Sequence, residues 1–176
     1  MTVCAILLVG PPGSGKTTVG AALAERLGWA SFDGEELCAR EAGLPISDMV
    51  LEWGDDAALE FQLVTLERFC TRRTESFVLA LPSGVTGLKL PQQKQCAPIS
   101  VFLDVSLAVA FPRTGLNAPR PVGLVAPRAL FGALLHERRP LYAEHADLIV
   151  EVGDHDVNSL VSHIHERLSN ICTGFR

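Results

Sequence analysis

At 176 residues, with a net charge of −5 and only three lysines, the chain is too acidic for a general nucleic-acid or membrane-surface binder. Hydrophobic residues make up 48%, yet no apolar run approaches the roughly 20 residues of a membrane-spanning helix, and the N-terminus lacks the basic segment and cleavage site of a secretory leader. Five cysteines (Cys4, Cys38, Cys70, Cys96, Cys172), odd in number and without C-x-x-C spacing, read as buried thiols of a cytoplasmic protein, not as a disulfide frame or zinc site.

The run from Val3 to Val9 is unbroken and apolar, as in a strand buried on both faces. It leads into Gly10-Pro11-Pro12-Gly13-Ser14-Gly15-Lys16-Thr17-Thr18, which matches G-x-x-x-x-G-K-S/T. A helix follows to Leu27, with Val19, Leu23 and Leu27 at helical spacing and Gly28 as its C-cap. Strand, glycine-rich turn and helix in this order form a phosphate-binding loop. Glycines let backbone N–H groups close around phosphate oxygens, and the helix adds its positive end. The Lys16 ammonium is placed for the β- and γ-phosphates and the Thr17 hydroxyl for Mg²⁺. Lys16 is the only lysine before residue 89.

Further along, 29–33 reads as a short strand ending in Asp33, a carboxylate that either supports a metal or caps the helix expected over 35–42. Short and long helices are expected over 46–52 and 55–71, the latter with Leu59, Leu63, Leu66 and Phe69 on one face and arginines at its end. Strands follow at 77–81 and 99–104, separated by a polar stretch with one helical turn near Gln92. A helix is expected over 106–111, a loop over 113–125, a helix over 127–139 ending before Pro140, a strand over 148–152, and a closing amphipathic helix over 158–171. His163 and His165 in that helix face apart and read as surface residues, and Trp29 and Trp53 as core or rim packing. The alternation implies an α/β fold: three αβα layers around a five-stranded parallel sheet carrying the phosphate loop, as in nucleoside monophosphate kinases. One domain over 1–176, acting as a monomer, is expected, with acceptor-binding helices at 34–75 and a lid loop at 112–126.

Several stretches together resemble the shikimate kinase family. They are Gly15-Lys16-Thr17-Thr18-Val19-Gly20 with Leu23-Ala24, then Phe32-Asp33, Trp53-Gly54-Asp55, Arg113-Thr114 with Arg120-Pro121, and the run from Arg138 through Pro140-Leu141-Tyr142 to Asp147. The resemblance implies phosphorylation of the 3-hydroxyl of shikimate by Mg·ATP. By position it implies that Gly13, Ser14, Gly15, Lys16, Thr17 and Thr18 hold the phosphates, and that Thr17 ligates Mg²⁺ while Asp33 supports the metal through water. Arg113 would lie beside the adenine opposite 152–157, Arg120 would close over the transferring phosphoryl, and Glu35, Gly84 and Arg138 would meet the acceptor. Lys16, Glu35 and Arg120 form the catalytic set, with Glu35 the acceptor of the hydroxyl proton.

The acceptor half departs from that family. Glu35 replaces an aspartate, Leu59 the clamp arginine, and Gln62 the glutamate three residues on; Pro82-Ser83-Gly84 stands where the family has three glycines. Pro82 offers no N–H. Arg68 cannot replace the missing arginine, being about 13.5 Å along the helix on the opposite face. ATP binding is therefore expected to persist while acceptor specificity has drifted: Leu59 beside a lone Arg138 suits an acceptor without a carboxylate or a smaller one, with shikimate the family-implied substrate and a related cyclitol or polyol the alternative. Two rivals are a nucleotide-binding regulatory paralogue with little catalysis and a gluconate-type sugar-acid kinase, the latter sharing the loop and Phe32-Asp33-Gly34.

Overall fold

The computed structural model describes residues 3–88, 90, 97–115, 126–153 and 156–171. Five strands, β1 (Ala5–Val9), β2 (Ala30–Asp33), β3 (Phe77–Ala80), β4 (Ile99–Val105) and β5 (Leu148–Val152), form one sheet in the order β2-β3-β1-β4-β5. Every pairing is parallel. Seven helices are described: α1 (Lys16–Leu27), α2 (Gly34–Ala42), α3 (Ile46–Trp53), α4 (Asp55–Thr71), α5 (Leu107–Arg113), α6 (Pro127–Glu144) and α7 (Val157–Ile171). The expected α/β architecture is the observed one.

Alternate side chains of β1 feed two cores. Ile6 and Leu8 pack with Val19 and Leu23 of α1 and with Leu160, Ile164 and Leu168 of α7. Leu7 and Val9 pack on the other face with Cys38 of α2, Met49 of α3, and Ala58 and Leu66 of α4. A strand covered on both sides must be apolar throughout, which is why Val3 to Val9 shows no polar alternation. At the sheet edge, β5 alternates instead, with Ile149 and Glu151 exposed between buried neighbours. Trp53 sits on the rim against Phe61, and Trp29 packs at the margin of a core.

Two helices run longer than their sequence suggests. Helix α6 continues through Pro140 to Glu144. Proline removes the bond to the carbonyl four residues earlier, but His136 is exposed, so water can satisfy that carbonyl. Beyond the proline, Tyr142 is fully buried and stacks on Phe102 with ring centroids 5.3 Å apart. That burial outweighs the lost bond. Phe131, early in α6, belongs to one core and Tyr142 to the other, so this helix ties the two faces together. Helix α5 also extends past its expected end, to Arg113. The turn expected near Gln92 and most of the 113–125 loop lie outside the described residues.

Candidate functional site

Parallel strands gather their C-terminal ends along one edge, and the central strand of a switch point carries the opening there. Here β1 lies between β3 and β4, and the chain leaves it into residues 10–15. Asp33 pairs with Ala80, Leu8 also pairs with Ala80, and Leu81 N–H donates to Leu8 O at 2.9 Å. This register sets the ends of β2, β3 and β1 level, so Asp33, the turn at 82–84 and the glycine-rich loop share one cleft.

The loop's shape depends on two glycines. Gly13 and Gly15 adopt φ of 76° and 87°. A Cβ on Gly13 would stand 2.4 Å from Ala110 O, so that position admits no side chain. Helix α1 begins at Lys16 with no acidic residue in its first turn, and its first N–H groups have no partner within the helix. These are the conditions for an anion site. Ser14 lies behind the loop: its N–H donates to Pro11 O at 3.3 Å, and its buried hydroxyl has no partner. Its side chain takes no part in the cleft.

The cleft holds about 840 Å³. It brings together Gly13, Gly15, Lys16, Thr17, Thr18, Asp33, Glu35, Gly84, Arg113 and Arg138 of the sequence-predicted set. Arg120 lies outside the described residues. Val152 and Gly153, expected at the adenine, line a separate cavity with Asp104 and Arg139. Arg139 pairs there with Asp104 at 2.6 Å while largely exposed, as a surface residue. Arg68 pairs with Glu41 at 2.7 Å, away from the cleft, so it supplies no charge to it. Leu59 and Gln62 do line the cleft, as do Ile46, Val50, Asp55 and Asp56.

Lys16 is 8% exposed, and burial pulls its ammonium down to about 8, against the opposing pull of Glu35 and Asp33. It donates to Gly10 O at 2.8 Å, Pro11 O at 3.1 Å and Ser83 Oγ at 3.0 Å. The two carboxylate oxygens of Asp33 make different contacts. Oδ1 caps α2 by accepting from Glu35 N–H at 2.8 Å, and Oδ2 accepts from the Thr17 hydroxyl at 2.6 Å. A hydroxyl and a carboxylate oxygen in contact, next to an anion cradle, suit a hard, oxygen-seeking ion such as Mg²⁺. No group of three or more His, Cys, Asp or Glu with metal-site geometry occurs among the described residues, and His163 is exposed.

At the other end of the cleft, Arg138 Nη1 donates to Ser83 O at 3.1 Å, and the Tyr142 hydroxyl donates to the same carbonyl at 2.5 Å. Burial raises the Tyr142 phenol, with Arg138 pulling the opposite way. Gln62 is 3% exposed; its amide N–H donates to Ala58 O within α4, and its Oε1 has no partner. Nothing local marks the Ser83 hydroxyl beyond its place after β3, where a side chain meets the neighbouring phosphate loop.

A family model for shikimate kinase matches residues 12–169. A shikimate kinase of Saccharopolyspora erythraea is 38% identical over 172 residues, covering 96% of this chain and 95% of that protein. One from Thermobifida fusca is 39% identical over 151 residues, covering 85% of this chain and 86% of its own. Among solved structures, the shikimate kinase of Acinetobacter baumannii in complex with shikimate superposes with a TM-score of 0.76 at 29% identity, over 96% of this chain and 95% of the other.

Proposed function

The chain belongs to the shikimate kinase family and is therefore a phosphotransferase with an alcohol as acceptor, and on that premise we propose which residues carry the transfer and which acceptor they receive. The family transfers the γ-phosphoryl of ATP to a hydroxyl of shikimate, or here of a related small cyclitol or polyol. The observation that carries the proposal is the single cleft in which the phosphate loop, the Thr17–Asp33 pair, Glu35 and Arg138 face one another.

Main-chain N–H groups of residues 13–18 and the Lys16 ammonium bind the β- and γ-phosphates. Thr17 Oγ1 and Asp33 Oδ2 would hold Mg²⁺, which when bound neutralises phosphate charge. Arg113, at the end of α5, flanks the nucleotide on the other side. Glu35 lies on the first turn of α2, beside the loop, and accepts the proton of the attacking hydroxyl. The hydroxyl oxygen bonds to the γ-phosphorus as the bond to the β,γ-bridging oxygen breaks, and ADP leaves. Arg120, which lies outside the described residues, is assigned from the family resemblance alone to meet the transferring phosphoryl. Use of ATP together with the buried Cys4, Cys38 and Cys70 supports a cytoplasmic setting. No described helix is long and apolar enough to cross a membrane.

The acceptor is proposed to lack a carboxylate. Leu59 stands on the cleft wall where the family's clamp has an arginine, and Gln62 where its partner carries charge. Arg138 is the one cation among the described residues at this end and already donates to Ser83 O, while Asp55 and Asp56 also line the cleft. An anion entering here meets too little positive charge to offset its desolvation. A thermal-shift screen of cyclitols and sugars, with Mg²⁺ and a nonhydrolysable ATP analogue, tests this directly. Neutral polyols are expected to raise the melting point more than shikimate does; a larger shift with shikimate would overturn the acceptor assignment.

A further inference from the structure

An ammonium has three N–H groups, and all three of Lys16's are taken by protein oxygens. Two go to the loop's own carbonyls, Gly10 O and Pro11 O, in buried bonds. The third goes to Ser83 Oγ in a part-buried bond at the cleft wall. A phosphate contact requires one of these donors to be released. Of the three, the bond to Ser83 alone is part-buried and lies on the cleft wall.

We propose that Ser83 is a positioning residue whose hydroxyl holds, in the free protein, the Lys16 N–H that the nucleotide's phosphate must take. The inference rests on the reading of Lys16 as the phosphate lysine. Ser83 cannot simply swing away, because its carbonyl is pinned by Arg138 at 3.1 Å and Tyr142 at 2.5 Å. Its hydroxyl alone rotates. Once released it remains on the cleft wall between Pro82 and Gly84, where it supplies the hydrogen-bond donor that Pro82 lacks. Ser83 thus links the phosphate end of the cleft to the acceptor end: its side chain meets Lys16 and its main chain meets Arg138. The charged groups around Lys16 are Asp33 and Glu35 from β2 and α2, Asp55 and Asp56 from α4, and Arg113 and Arg138 from α5 and α6. None of these carboxylates takes the third N–H; the neutral hydroxyl does.

The sign of the effect separates a placeholder from an ordinary binding contact. Ser83→Ala is expected to bind Mg²⁺ with a nonhydrolysable ATP analogue about three- to tenfold more tightly than wild type, measured by calorimetry, because one charge-assisted bond no longer has to be broken. Ser83→Gly should behave in the same way. Ser83→Thr, which keeps the hydroxyl, should stay within about twofold of wild type. In a Lys16→Met background, Ser83→Ala should change nothing, since the group it acts through is gone. Equal or weaker binding by Ser83→Ala, or a gain that persists in Lys16→Met, overturns the inference. A wild-type protein without any affinity for the analogue would instead remove the reading of the cleft, and the inference with it.

Discussion

Lys16 holds a charge in a place that resists charge, and the consequence is measurable in the free protein. Burial lowers its ammonium from 10.5 to about 8 in the folded state. The unfolded chain therefore binds more protons across that window, and stability contributed by this group rises as pH increases from below 8 towards 10.5. Integrating between pH 7 and pH 9 gives a gain of about 1 kcal/mol. Cys38 and Cys70 act in the opposite direction. Burial pushes both thiols up to about 12, so the unfolded chain loses protons first and stability falls as pH rises above about 9. Between pH 7 and pH 9 the thiols offset only part of the lysine's gain in wild type. Lys16→Met removes one contribution and keeps the other, so the comparison isolates the lysine. Denaturant unfolding of both proteins, without nucleotide and with a chelator, followed by tryptophan fluorescence at pH 7, 8 and 9, provides the test. Wild type should gain about 1 kcal/mol on the variant over this range, whatever their order at pH 7. Curves that run parallel with pH would refute a buried ammonium. Lys16→Met should also abolish phosphoryl transfer.

Three other variants probe the cleft piece by piece. Asp33→Asn keeps a helix-capping oxygen on α2 but weakens the oxygen site shared with Thr17; stability should change by less than about 1 kcal/mol, while Mg²⁺-dependent turnover falls on the order of 100-fold or more, as a coupled assay with a magnesium titration would show. Leu59→Arg combined with Gln62→Glu rebuilds the charged clamp at i and i+3 of α4. Shikimate affinity should rise roughly 30-fold or more by calorimetry, since a buried charge-paired clamp is worth about 2–5 kcal/mol. Tyr142→Phe removes the bond to Ser83 O while sparing the stack on Phe102. It should cost about 1 kcal/mol in chemical denaturation, and a loss above about 3 kcal/mol would mean that the ring packing had been disturbed as well.

Periodicity located most of the fold because most elements bury one clean face. Helix 55–71 and strand 148–152 have the bounds that hydrophobic spacing and the flanking residues suggest. Pro140 misled because a local rule about proline was overridden by a distant contact: the burial of Tyr142 against Phe102 carries α6 onward. The phosphate end of the site was legible, since Gly13, Gly15, Lys16 and Thr17 serve a backbone geometry that few sequences imitate. At the acceptor end the departures at Leu59, Gln62 and Pro82 could be named from sequence, but not what replaces them. That Arg138 leans on Ser83 O, and that Lys16 spends its third donor on Ser83 Oγ, are contacts between residues 55 and 67 positions apart. No local pattern encodes them; they follow from the register that sets β3 beside β1.

The account stands or falls on a kinetic comparison between two acceptors that differ at one group: shikimate, and its analogue with the carboxylate reduced to a hydroxymethyl. In a coupled ADP-release assay with Mg·ATP, kcat/KM for the alcohol should exceed that for the acid by about tenfold or more. Turnover of shikimate at roughly ten per second or faster, with a KM below about 1 mM and no advantage for the alcohol, would contradict it.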